Sequence, residues 1–281
     1  MDVRRLGRAG PISSAIGLGG TALAGGPDVR AGAQVIGHAL DLGITLLDTT
    51  SRSRQEQVQQ LAGRAIAGRR QEVVLAARAR AGGGGLARSC DAALRRLAVD
   101  HLDLLYLDCP AWPGPVEDGV GELARLVTAG KVRHLGLAEP RAWQIGRAAA
   151  EHAIAAIACE YSLWDRRAEL DRIPAARAHR IGVVACRPLG LGAGPGPGGV
   201  RPSGDDPRAA VRAVRTAEEV AAQLHLSLAR LALVWLLAQG GDIVPVPSTR
   251  NRVHLEMNAS TAGVQVDLAP LARLNTLFPP H

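Results

Sequence analysis

The sequence predicts an α/β protein, a (β/α)8 barrel, from three observations. Short continuous apolar runs alternate with longer amphipathic ones along the whole chain. Eight such runs fall within about 250 residues, the count and size of that barrel. No complete dinucleotide-type glycine motif opens the chain, as the competing doubly wound open sheet would require. The apolar runs at 15–18, 44–47, 72–76, 102–107, 132–137, 155–159, 181–185 and 242–246 read as buried strands. Between them, 34–42, 55–67, 86–97, 118–129, 142–152 and 209–239 carry helical periodicity, the last with a break near His225. A strand that is apolar on both faces needs cover on both, and helices alternating with parallel strands supply it. Gly17-Leu18-Gly19-Gly20 neither completes the G-x-G-x-x-G spacing nor leads directly into a helix. The glycine run at 82–85 and the Gly/Pro-rich stretch at 190–207 read as loops, serving as lids or plain linkers, at the end of a barrel where chemistry is built. A single barrel domain is expected over 1–281.

Composition narrows the chemistry. The 281 residues are 47% hydrophobic and 21% charged, enough for a barrel-sized core, and at 2% aromatic that core must be built from Leu, Val, Ile and Ala. Of the 33 basic residues only Lys131 is a lysine, and the two tyrosines are Tyr106 and Tyr161. Any lysine or tyrosine chemistry must use one of these three. The net charge of +7 raises nucleic acid as a partner, but the arginines are scattered among Asp and Glu in runs no longer than doublets such as Arg69-Arg70, without interleaved aromatics. No nucleic-acid partner is expected. Cys90, Cys109, Cys159 and Cys186 lie far apart with no C-x-x-C pair and no histidine at zinc spacing, so neither a metal site nor a disulfide frame is signalled. The N-terminal residues form no apolar signal core and no stretch reaches the roughly 18 apolar residues of a membrane span. A cytoplasmic protein acting on a small molecule, with no membrane partner, is the expectation; the sequence is silent on oligomeric state.

Several segments resemble a known family. The opening Arg4-Arg5-Leu6-Gly7-Arg8-Ala9-Gly10 with Ile16-Gly17-Leu18-Gly19, and Gly43-Ile44-Thr45-Leu46-Leu47-Asp48-Thr49, resemble the N-terminal β-hairpin and second strand of aldo-keto reductases. Residues 89–108, Ala129-Gly130-Lys131-Val132-Arg133, Glu160-Tyr161-Ser162-Leu163, Arg187-Pro188-Leu189-Gly190 and Val246-Pro247-Ser248-Thr249-Arg250 leading to Asn258 continue the likeness collinearly. The resemblance implies a (β/α)8 barrel that reduces carbonyl compounds with NAD(P)H. It also implies four groups at the barrel mouth: a tyrosine that donates a proton to the carbonyl oxygen, a lysine paired with an aspartate that lowers the tyrosine's pKa, and a histidine that orients the carbonyl. At the matching positions this chain keeps the aspartate as Asp48, but has Ser53 for the tyrosine, Arg78 for the lysine and Asp108 for the histidine.

No substitute is expected from elsewhere. Tyr106 is read as pointing out of a strand interior two residues before the rim, Tyr161 matches a non-catalytic tyrosine of the family, and Lys131 precedes the fifth strand at the opposite end of the barrel. A serine hydroxyl is a far weaker acid than a phenol, and an arginine does not exchange protons usefully. Ala138, Glu139 and Ala158 stand where the family holds the nicotinamide carboxamide, and Cys186 where a tyrosine stacks on the ring. The adenosine half still matches: Leu189, Ser248, Thr249, Arg250, His254 and Asn258 fall at the cofactor segment, with Met257 replacing a frequent acid. Both NADP(H) binding and inherited structure without binding are open on the sequence; no metal is expected.

The catalytic candidates are therefore Asp48, Ser53, Arg78, Asp108, Glu139 and Arg187. One reading is a structural ion network in which Arg78 bridges Asp48 and Asp108 while Arg187 neutralises Glu139. Another is that facing carboxylates have their pKa values pushed apart, giving one acid and one base for dehydration, cyclisation or isomerisation of a small carbonyl compound in specialised metabolism. A nucleophilic Cys109 or Cys186 lacks an assigned activating histidine. An atypical NADPH-dependent reductase and a non-catalytic binding scaffold are the alternatives.

Overall fold

A computed structural model of the chain describes residues 1–24, 29–51, 54–81, 85–190 and 207–280. Ser53 and most of the two loops predicted at 82–85 and 190–207 lie outside the described residues, although Gly85 opens a helix and Pro207 begins another.

Ten strands are described. An antiparallel hairpin, β1 (Val3–Arg5) and β2 (Ile12–Ser14), precedes eight parallel strands: β3 (Leu18–Gly19), β4 (Leu46–Asp48), β5 (Val74–Ala79), β6 (Leu102–Asp108), β7 (Val132–Ala138), β8 (Ile154–Glu160), β9 (Gly182–Cys186) and β10 (Ile243–Pro245). Each of the eight pairs with its chain neighbour, and the amides of Gly17 and Gly19 donate to the carbonyls of Pro245 (2.9 Å) and Pro247 (3.0 Å), so the first strand meets the last. Each of the eight predicted strands corresponds to one of these, with shifted ends. Residues 44 and 45 precede the strand instead, the Ile44 amide bonding the Ala39 carbonyl, while β4, β6, β7, β8 and β9 run one residue further, ending at Asp48, Asp108, Ala138, Glu160 and Cys186. Three of these ends, Asp48, Asp108 and Glu160, are charged residues that an apolar pattern excludes, although the ladder continues through them.

The helices are α1 (Val29–Asp41), α2 (Gln55–Ala65), α3 (Gly85–Leu97), α4 (Val116–Thr128), α5 (Ala142–Glu151), α6 (Arg172–Ala178), α7 (Pro207–Gln223), α8 (Leu228–Ala238), α9 (Arg252–Ser260) and α10 (Leu268–Leu277). The break expected near His225 separates α7 from α8: His225 adopts φ 54°, Ser227 caps α8 by accepting from the Arg230 amide, and the two helices meet at 87°. No single described helix is long and apolar enough to cross a membrane. Helical periodicity does not mark α6, α9 and α10, which are short and begin at the polar caps Asp171, Asn251 and Asp267 rather than with an apolar stripe.

Burial divides the core in two. The larger cluster fills the space between strands and helices; the smaller lies inside the barrel and contains Leu46, Ala76, Leu104, Tyr106, Ala138, Ala156, Ala158, Val184 and Val244. Period-two alternation sends these side chains inward and also fixes the next inward position toward the C-terminal mouth: Asp48 after Leu46, Arg78 after Ala76, Asp108 after Tyr106, Cys186 after Val184. Leu6, from the hairpin turn, is fully buried in the inner cluster and stoppers the opposite end.

Candidate active site

The inward ends of β4, β5 and β9, with the residues that follow β7 and β10, enclose a cavity of about 550 Å3 at the C-terminal mouth. Asp48, Arg78, Glu139, Cys186 and Arg187 line it, together with Leu189 and Ser248. A larger groove of about 1020 Å3 runs past Asp2, Arg4 and residues 262–266 on the hairpin side; it holds no facing acid and base of this kind, and Arg4 there is committed to backbone carbonyls.

Asp48 is 1% exposed. Its Oδ1 accepts from the Thr50 amide at 2.8 Å, whereas Oδ2 is buried without a partner among the described residues. Burial raises its pKa; the Thr50 bonds and the positive charge of Arg78 oppose that shift without cancelling it. Arg78 is buried too, with Nη1 3.6 Å from Asp108 Oδ2 and Nε unpartnered among the described residues. Asp108 has a closer cation in Arg80, whose Nε donates to Oδ2 at 2.9 Å.

The expected ion network is thus redrawn. Arg78 does not bridge Asp48 and Asp108: it approaches Asp108 and acts on Asp48 through charge alone. Arg187 does not neutralise Glu139. Its Nε lies 3.6 Å from Glu160 Oε1, and Glu139 Oε2 instead accepts from Arg172 Nη1 at 3.0 Å. The reason is local backbone geometry. Glu139 and Arg187 each follow a strand end and take positive φ, 50° and 51°, which re-aims both side chains. Arg80 and Arg172 belong to no motif in the sequence, and Glu160 opens a family-like segment without a role assigned to it there; only the folded arrangement supplies their partners.

A second correction concerns Tyr106. It does not point away from the barrel: it shares the inward face of β6 with Leu104 and Asp108 and is fully buried. The signal was available, because two residues back from an inward rim aspartate is again inward. Tyr161, by contrast, bonds Glu169 at 2.8 Å, and Lys131 pairs with Asp91 at 2.7 Å just before β7 begins, away from the mouth. The thiol of Cys109 is pushed up to about 12 and that of Cys186 well above its ordinary value, both chiefly by burial, which disfavours a thiolate nucleophile. All four cysteines are free.

On the far side of the cavity, Ser248 Oγ accepts from the Ala22 amide at 2.6 Å and Thr249 Oγ1 from the Asn251 amide at 3.1 Å. Asn251 caps α9 through the amides of Val253 and His254, leaving Arg250 and His254 exposed and Asn258 buried.

Residues 15–277 match the aldo/keto reductase family model. The chain belongs to that family. A Glycine max protein named probable aldo-keto reductase 1 is 31% identical, with 98% of this chain and 88% of that protein aligned. The Schizosaccharomyces pombe aldo-keto reductase yakc, with NADP(+) in its name, is 32% identical over 92% of this chain and 85% of its own length. Among solved structures, a Klebsiella pneumoniae aldo/keto reductase in complex with NADP and acetate superposes with a TM-score of 0.79 at 26% identity, covering 99% of this chain and 97% of that one. A Bacillus halodurans aldo-keto reductase in its holo form superposes at 0.84 with 23% identity over 100% and 97% of the two chains, which speaks to the shared barrel alone.

Proposed function

We propose that this aldo/keto reductase family member binds a small carbonyl compound in the mouth cavity and moves a proton at it, with Asp48 carrying the proton and Arg78 stabilising charge on the carbonyl oxygen. The observation that carries this reading is the Asp48 carboxyl: it faces the cavity, is buried, keeps one oxygen unpartnered among the described residues, and is shifted upward by desolvation. A carboxyl in that state exchanges protons closer to neutrality than an exposed one does. Removal of the hydrogen next to the carbonyl breaks a C–H bond and places the proton on Asp48. The electron pair becomes an enolate whose oxygen meets the fixed cation. Isomerisation returns the proton to a different carbon; in dehydration the enolate expels a β-hydroxyl, which leaves as water with the proton from Asp48; in cyclisation the enolate carbon bonds a second carbonyl carbon, whose oxygen takes that proton. Asp108, neutralised by Arg80, supports Arg78 from behind.

The test is hydrogen exchange in deuterated solvent, followed by NMR on a panel of small ketones and aldehydes, without nucleotide. The purified protein should accelerate exchange beside the carbonyl, and Asp48→Asn should lose roughly 100-fold or more of that rate. Equal rates for the two proteins would sink the reading.

A second reading, NADPH-dependent reduction, is favoured by the segment from Ser248 to Asn258 and by the NADP complex of the Klebsiella relative. NADP(H), when bound, supplies a hydride. The residues fit it unevenly. Arg250 and Arg252 flank the α9 N-terminus, where phosphate is readily held, whereas Ala138 and Ala158, at the positions that the resemblance assigns to the carboxamide, offer no side-chain donor or acceptor. Stoichiometric NADPH oxidation with the same carbonyl panel would establish this second reading in place of the first.

A further inference from the structure

Three buried polar atoms beneath the mouth cavity have no partner among the described residues: Tyr106 Oη, Asp48 Oδ2 and Arg78 Nε. They come from three neighbouring strands. Arg78 on β5 is in register with Tyr106 on β6, and Asp48 on β4 is in register with Ala76, the inward residue below Arg78. The Tyr106 ring is held in the barrel centre by what surrounds it. Ala76, Ala138, Ala156 and Ala158 each give the inner cluster no more than a methyl group, and at Gly136 an added Cβ would stand 2.5 Å from Cδ1 of the ring. The charged and polar groups that the phenol feels are Asp48, Cys186 and Arg78, all of which line the cavity. None of the three orphaned atoms bonds another. Two are donors and one is an acceptor, the complement of a single oxygen atom placed among them.

We propose that Tyr106 Oη, Arg78 Nε and Asp48 Oδ2 surround a place for one oxygen atom at the floor of the mouth cavity, taken in the free protein by a water held by all three and in a complex by the carbonyl oxygen of a bound compound, held by Tyr106 and Arg78. Water placed there accepts from Tyr106 and Arg78 and donates to Asp48. A carbonyl oxygen accepts the same two bonds, so Tyr106 becomes a catalytic residue, a neutral donor to the oxygen on which enolate charge grows. It keeps its own proton throughout, while the proton from carbon goes to Asp48. The carbonyl assignment rests on the function proposed above; the oxygen site itself does not.

Two experiments separate these claims. A high-resolution crystal structure of the ligand-free protein should show one ordered oxygen within about 3.2 Å of all three atoms. A dry centre, or a Tyr106 hydroxyl bonded to another protein group, overturns the site. In the deuterium exchange assay, Tyr106→Phe should lower kcat roughly 100-fold with KM little changed, the signature of a lost oxyanion donor. Wild-type exchange by a folded Tyr106→Phe variant, alongside a dead Asp48→Asn variant, overturns the role of Tyr106 and leaves the Asp48 reading intact. If Asp48→Asn exchanges like wild type while the ordered oxygen is present, the functional reading fails and the oxygen site stands.

Discussion

Asp48 is the residue on which the chemistry and the stability of this protein meet. Its pKa is raised on folding, so the folded protein binds that proton more tightly than the unfolded chain does. Stability from the protonated form is therefore complete below the ordinary carboxylate range and is lost as pH rises through the folded-state pKa. Asp48→Asn is uncharged and of the same shape, and its amide oxygen can keep the bond from Thr50. The variant should match wild type in urea denaturation below about pH 4 and be the more stable of the two at neutral pH. A variant less stable than wild type at neutral pH would mean that Arg78 compensates the buried charge more fully than burial penalises it. Asp48, Arg78, Glu139 and Arg187 were legible in the sequence because each lies at or just past the end of a strand, at a motif position. Their pairings were not: whether Arg187 meets Glu139 or Glu160 depends on backbone torsions after the strands, which no periodicity encodes.

Among the elements, the hairpin of β1 and β2 gives the clearest mechanical account. Arg4 Nη1 donates to the Gly240 carbonyl at 2.8 Å and Nη2 to the Leu237 carbonyl at 2.8 Å, joining β1 to the end of α8 and the approach to β10. Hydrogen bonds from a charged donor contribute more than neutral ones, and these are partly shielded from water, so Arg4→Ala should cost about 2 kcal/mol, read as a lowered urea midpoint with an unchanged m-value. Native-state hydrogen exchange should show the loss concentrated in residues 3–14. The strands were legible because each is a continuous apolar run; α6, α9 and α10 were not, because seven to ten residues with few buried positions leave too little pattern.

For the molecule as a whole, Arg166 ties the last helix to the barrel. Its Nη1 donates to the carbonyls of Asn275 (3.0 Å) and Phe278 (2.7 Å), Nε and Nη2 grip Glu169, and the guanidinium lies 5.1 Å from the centre of the Trp235 ring. Phe278 in turn packs edge-on against Trp164 at 5.0 Å. Arg166→Ala leaves Glu169 without its cation beside the Tyr161 hydroxyl and should cost roughly 3 kcal/mol. Arg166→Lys should recover little of it, since a point charge cannot reproduce the forked contacts; full rescue in thermal unfolding would refute the anchoring role.

Strand hydrophobicity and short collinear motifs are local properties of the chain, and they were enough for the barrel, the family and the placing of Asp48, Arg78, Glu139 and Arg187 at the mouth. Tertiary structure decided which of those residues face one another and what surrounds the inward Tyr106 ring. The space for that phenol depends on Gly136 and Ala138 of β7 and on alanines of β5 and β8, which face one ring because the sheet curls around it.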